Sequence, residues 1–373
     1  MGANSARLGP ARRRFLIVLG MILIRDEQPC SRAAVLTAQQ PTGADQGRAP
    51  LKVFVLVGQS NMVGHGLFEA RNASTGRFLN GTLGWLAGSP RTRAEFGKLR
   101  LRGTAGGEPI WAHREDVLVI NDVNSINDTG LVGSGSAGIG GFLRPGWGGD
   151  SSAIGPELGF GWTLGDALAP QTLLLKVAWG GKSLGADFRP PSSGGSVGSY
   201  YVRMVAKVRH YLANLESVLP PGSAAGGYEL SGFVWHQGWN DGCNVTLGKE
   251  YRTNLANLIR DVRKEFRDLP QKQHLLPVVI GVSGMGCCTS GQCASQCRKE
   301  DCVDDPEDPT ETTNSCETTL ADYVIPAQLS VANATRYPVR LPLVLFFHLL
   351  TDRDSRETRN LRDLKAVVLS TGV

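Results

Sequence analysis

Along this chain, short dense apolar runs alternate with longer stretches whose apolar positions recur every three or four residues. "KVFVLVG" (52–58) is apolar at almost every position, which predicts a strand covered on both faces. "TLLLKVAWGG" (172–181), "YELSGFVWHQGWND" (228–241) and "LLPVVIGVSG" (275–284) predict three more strands, and the first two end in glycines and polar residues. Between them lie helical patterns. "GPELGFGWTLGDAL" (155–168) opens with Pro156 at a first helical position. "YYVRMVAKVRHYLANLESVL" (200–219) places Val202, Val205, Val208, Leu212 and Leu215 near one face. "YRTNLANLIRDVRKEF" (251–266) predicts another helix. "TLADYVIPAQLSVANAT" (319–335) predicts one that breaks or kinks at Pro326. Residues 64–150 show no long period and read as loops. Strands alternating with helices predict an α/β fold with a mostly parallel sheet and helices on both faces. In such sheets a ligand crevice lies beyond the carboxyl ends of the strands. The tips "GQSNM", "WGGKS" and "HQGWND" are expected side by side there.

Charge divides the chain into a basic head and a near-neutral body. The formal net charge is +5, and residues 1–50 hold seven of the 39 basic and three of the 34 acidic residues. The body gives no electrostatic case for nucleic acid. Within the head, Arg12, Arg13 and Arg14 precede "FLIVLGMILI", ten apolar residues. That run is too short for a stable membrane span, so residues 1–38 read as a signal peptide or an N-terminal anchor, and 39–50 as a linker. Asn-x-Ser/Thr tripeptides at Asn72, Asn80, Asn127, Asn244 and Asn333 agree with secretion. So do six cysteines within residues 287–316, a segment too polar to build a core. Disulfides stapling a loop explain them better than zinc, because the spacing lacks paired C-x2-C units.

Three motifs carry candidate chemistry. Ser60 in "GQSNM" directly follows a strand, where a serine serves either as a turn residue or as an exposed nucleophile. "HQGWND" brings the amides of Gln237 and Asn240 to another strand tip, and such donors suit the oxyanion of an acyl-transfer transition state. The glycines Gly180 and Gly181 allow a backbone N–H to approach a substrate oxygen. Other patterns are decoys. Gly181-Lys182-Ser183 lacks the first glycine of a phosphate-binding loop, since position 176 is Lys. Gly181-x-Ser183-x-Gly185 has no helix pattern after it. "GSGSAG" (133–138) has neither a strand before it nor a helix after it.

In this order and spacing, "GQSNM", the Gly-Gly strand end and "HQGWND" resemble the SGNH hydrolase superfamily. Within it the chain is similar to the sialate O-acetylesterase and carbohydrate esterase family six group over residues 51–335. The resemblance implies a three-layer α/β/α sandwich of SGNH or flavodoxin-like type over residues 51–338, with 287–316 as an insertion. It implies a carbohydrate O-acetylesterase with no cofactor and no metal, acting on acetylated sialic acids or polysaccharides. Ser60 matches the nucleophile. The Ser60 N–H, Gly180 or Gly181, and the side chain of Gln237 or Asn240 match the oxyanion hole. Gln59 and Asn61 match substrate-binding positions.

The chain departs from this pattern at its end. The family takes its base from a late Asp-x-x-His, and no such tetrapeptide occurs in the sequence. Residues 339–373 form a divergent tail whose histidine, His348, sits in the apolar run "LVLFFHLL". His348 is the base candidate in that tail, and the other histidines are His65, His113, His210, His236 and His274. Of the others, His210 lies on a helix pattern, His274 in a charged connection, and His236 belongs to the third motif. Three explanations stand, in this order: a replaced C-terminus, a catalytically impaired relative that binds glycans, or a base supplied from elsewhere in the chain.

Overall fold

The central strand is β1 (Leu51–Gly58), and its residues alternate between two cores. Val53, Val55 and Val57 enter one apolar cluster; Leu56 enters the other, with Phe54 packed against it. The computed structural model describes residues 49–101, 110–126, 139–272, 274–283 and 319–332. The N-terminal segment up to residue 48, the cysteine-rich stretch 287–316, Asn127, Asn333 and the tail with His348 lie outside the described residues.

After β1 come α1 (Ser60–Val63), β2 (Arg114–Val123), β3 (Gly140–Leu143), α2 (Pro156–Ala167), β4 (Thr172–Ala178) and α3 (Ser199–Ala213). They are followed by β5 (Tyr228–His236), α4 (Trp239–Gly242), α5 (Val245–Glu265), β6 (Val278–Ile280) and α6 (Ile325–Ala332). The six strands form one sheet in the order β6-β5-β1-β4-β2-β3. All pairings are parallel except that of the edge strand β3 with β2. Helix α2 covers one face, with Leu158 and Phe160 in its core; α3, α5 and α6 cover the other. This is the expected α/β/α sandwich.

Register decides where the tips fall. Gly58 pairs with both Ala178 and His236, and Val123 pairs with Ala178. Four strands therefore end at one level. Between β1 and β5 one extra residue, Ser231, sits in a bulge, and Gly232 beyond it leaves room for the Phe54 ring. Gly58 has no room for a side chain, since a Cβ there would stand 2.0 Å from the His236 carbonyl oxygen. The three tips do lie side by side, as the sequence implied.

Two expectations need correction. The stretch 64–150 contains β2, a ten-residue strand, and the edge strand β3. Its apolar run Val117–Ile120 is short, and the charged residues before it with Asn121 and Asp122 after it disguise the pattern. Helix α3 buries Tyr201, Met204, Val208, Tyr211 and Leu212, while Val202 is exposed. The larger aromatic and Met side chains claim the core and turn Val202 out, while Val208, Leu212 and Leu215 are buried as expected and Val205 packs against the core's edge. The break at Pro326 takes the form of a wide π turn, Leu320–Val324, running into α6.

A charged pair sits inside the core below α1. Lys176 Nζ donates to Glu157 Oε2 at 2.8 Å, to the Val63 carbonyl at 2.8 Å and to the Trp147 carbonyl at 2.6 Å. Both side chains are essentially fully buried. Burial pulls the Lys176 ammonium below its usual range, and the Glu157 carboxylate works against that shift. The lysine thus joins β4, α2, the end of α1 and the Trp147 loop. Lys176→Met is expected to destabilise the protein by about 3–5 kcal/mol, because it strands a buried carboxylate. Lys176→Met with Glu157→Leu should cost clearly less than the single change, which urea denaturation of the two variants would check.

Candidate active site

Ser60 is the first residue of α1 and half-buried at the tip of β1. Its Oγ accepts from Gln59 Nε2 at 3.5 Å. The hydroxyl proton is therefore left for another acceptor. The same Gln59 nitrogen lies 3.5 Å from Asn61 Oδ1.

Gln59 itself is fully buried. Its Oε1 accepts from Gln237 Nε2 and from the Asn240 N–H, both at 3.2 Å. Its side chain joins the tips of β1 and β5, so it supports the loop rather than presenting a surface to substrate. Gln237 is equally buried, and its Nε2 also faces the Lys182 carbonyl at 3.0 Å and the Asp241 carboxylate. That amide is spent inside the protein, which removes Gln237 from the oxyanion candidates. The Gln237 carbonyl accepts from Tyr251 of α5 at 2.7 Å and from Gln328 of α6 at 2.8 Å, so the helical layer fixes this tip as well.

Asp241 closes the network. Its carboxylate accepts from the Leu184 N–H at 2.7 Å and the Gly185 N–H at 2.8 Å, besides Gln237. The loop after β4 is thereby bound to the tip of β5. Burial pushes the Asp241 carboxyl up to about 6, although all three hydrogen bonds favour the ionised form. The sequence signal was present, since "GWND" ends in a carboxylate, yet an Asn-Asp-Gly turn reads equally well there.

The glycine pair divides in two. The Gly180 N–H donates to Asn124 Oδ1 at 2.9 Å, so it is occupied. Gly181 adopts φ 69°, is exposed, and has nothing within 4 Å of where a Cβ would stand. The Asn240 side chain is half-buried above α4, whose backbone N–H at Asn240 is held by Gln59. The structure thus brings Ser60, Gly181 and Asn240 to one rim, with Gln59, Gln237 and Gly180 committed beneath or beside it. His236 is buried with its ring against Gly281, and its carbonyl accepts from the Gln59 N–H at 3.2 Å. It packs the loop.

Residues 50–301 match the family model described as carbohydrate esterase, sialic acid-specific acetylesterase. The chain belongs to that family. None of the curated proteins matches it. Among solved structures, a protein of Arabidopsis thaliana is 18% identical over 75% of this chain and 98% of its own, with a TM-score of 0.35. A carbohydrate acetylesterase from Xanthomonas citri is 14% identical over 62% of this chain and 41% of its own, with a TM-score of 0.35. NanS is 12% identical over 82% of this chain and 80% of its own, with a TM-score of 0.40. The family match begins one residue before β1 and takes in all three tips of this esterase-family member.

Asp241 also sets a pH dependence. The folded carboxyl holds its proton up to about 6, against about 3.9 in the unfolded chain. The folded state therefore binds more protons between those values, and this group makes stability fall as pH rises from about 4 to 6. Urea denaturation at pH 4 and pH 7 should show wild type losing about 2–3 kcal/mol relative to Asp241→Asn across that interval. Parallel pH profiles for the two proteins would contradict the assignment.

Proposed function

We propose that this chain is a serine-dependent carbohydrate O-acetylesterase. Family membership supports the reaction class, and the convergence of Ser60, Gly181 and Asn240 at one level of the sheet carries the mechanism. Ser60 Oγ attacks the acetyl carbonyl carbon while its proton passes to a base. The carbonyl oxygen takes the charge, and the N–H groups of Ser60 and Gly181 with the Asn240 amide receive it. Collapse expels the sugar hydroxyl, which regains a proton, and leaves an acetyl ester on Ser60. Water then releases acetate and restores the serine. Gln59 supports the attack by donating to Oγ, which directs the serine proton away from the loop toward the base.

His348, the histidine of the divergent tail, is the base candidate, since the family's Asp-x-x-His is absent from the sequence. That absence also favours a second reading, a glycan-binding relative with impaired catalysis. The substrate class under either reading is an O-acetylated sugar, sialic acid or polysaccharide, met in the secretory pathway or outside the cell.

Hydrolysis of an activated acetyl ester by the purified chain separates the two. Ser60→Ala should lower kcat by at least about a thousandfold while thermal unfolding stays near wild type. If the folded wild-type chain releases no acetate but binds O-acetylated glycan, the glycan-binding reading replaces the esterase.

A further inference from the structure

Among the described residues, Asn124 is the one non-glycine with positive φ, at 58°. It stands one residue beyond β2, at the same level as the tips that form the site. A left-handed backbone is uncommon for residues with a side chain, and glycine would adopt it without strain. What glycine lacks is an acceptor, and here the side chain is used. Asn124 Oδ1 accepts from the Gly180 N–H at 2.9 Å, while the Asn124 N–H donates to the Ala178 carbonyl at 2.8 Å.

The turn that receives this bond is held on both sides, at Trp179 and at the Lys182 carbonyl, and between them the bond from Gly180 falls on the glycine pair itself. Gly180 and Gly181 are consecutive glycines, the least restrained backbone a chain can offer. Gly181 is exposed, and a Cβ placed on it would meet nothing within 4 Å. Gly180 is half-exposed, so water could satisfy its N–H. The bond to Asn124 is therefore a matter of orientation rather than of rescuing a buried donor.

Behind Asn124 the turn is anchored from below. Trp179 Nε1 donates to the Ser125 carbonyl at 2.6 Å, a stitch in the reverse direction between the same two tips. Lys207 Nζ of α3 reaches Asp122 Oδ2 at 2.6 Å and Ser125 Oγ at 3.4 Å, and the Tyr211 hydroxyl donates to the same Asp122 oxygen at 2.8 Å. Asp122 is fully buried and Lys207 nearly so. A buried ion pair below and a reciprocal hydrogen-bond pair above hold the Asn124 loop against the Gly-Gly turn.

From this we infer that Asn124 is a positioning residue of the esterase site: its side-chain carbonyl orients the Gly180–Gly181 turn so that the Gly181 N–H is presented to the substrate oxygen. This rests on the esterase reading above for its catalytic consequence, but not for the contact itself. The loss expected is mainly in kcat, because the oriented donor matters most when charge has developed on that oxygen.

Three variants separate the bond from the backbone. Asn124→Gly keeps the positive φ and removes the acceptor; Asn124→Ala removes both; Asn124→Asp keeps an acceptor on a residue that tolerates this conformation. With an activated acetyl ester, Asn124→Gly and Asn124→Ala should lower kcat by about tenfold to a hundredfold with KM within about threefold. Asn124→Asp should recover most of that loss, and Asn124→Gly should melt no lower than wild type. Wild-type kcat in Asn124→Gly overturns the inference. If instead the wild-type chain is inactive, or its rate survives Ser60→Ala, the esterase reading fails and amide hydrogen exchange at Gly180 decides. There the expected result is exchange about tenfold faster in Asn124→Gly than in wild type; equal rates overturn the inference.

Discussion

A carboxylate taken wholly out of water must be met by donors, and in this protein that requirement falls on Asp241. Its partners come from the loop after β4 and from Gln237 at the end of β5. Gln237 in turn holds Gln59 at the end of β1. One buried acid thus obliges three strand tips to converge. The hydrogen bonds do not fully offset the desolvation, which is why the carboxyl still titrates near 6. The protein carries that cost at the place where the three loops must keep a fixed relation.

Beneath this clamp, two buried lysines extend the same logic to the two faces of the sheet. Lys176 works on the α2 face, where it holds the last carbonyl of the helix that begins with Ser60. Lys207 works on the α3 face, below the Asn124 turn. Each lysine lies in apolar surroundings with a carboxylate partner, an arrangement that contributes more to fixing geometry than to net stability. The helix that begins with Ser60 and the Asn124 turn beside the glycine pair are thereby held from below. Under the proposed esterase mechanism such preorganisation matters, since donors that must reorient during the reaction stabilise the transition state less.

Holding the Ser60 hydroxyl is a separate matter from taking its proton. Gln59 donates to the Ser60 hydroxyl, so it fixes the oxygen but cannot take the proton. The supports of the three tips all come from residues 59–328, and they are complete without a base.

Much of the fold was legible because burial on both faces writes itself as dense apolar runs. β1, β4, β5 and β6 are legible that way, and the four longer helices through apolar positions recurring every three or four residues. β2 escaped because its tip is polar: Asn121, Asp122 and Ser125 are buried there for contacts with distant partners, which a local pattern cannot reveal. The candidate site divides along the same line. Sequence alone picked out Ser60, the glycine pair and Asn240, since each stands at a strand end in a recognisable motif. It could not tell Gly181 from Gly180, or Asn240 from Gln237. Those pairs are chemically alike, and what separates them is which N–H or amide is already engaged. That engagement depends on Asn124, 56 residues before Gly180, and on Gln59, 178 residues before Gln237. Only the parallel register, which ends four strands at one level, brings such residues within hydrogen-bonding reach.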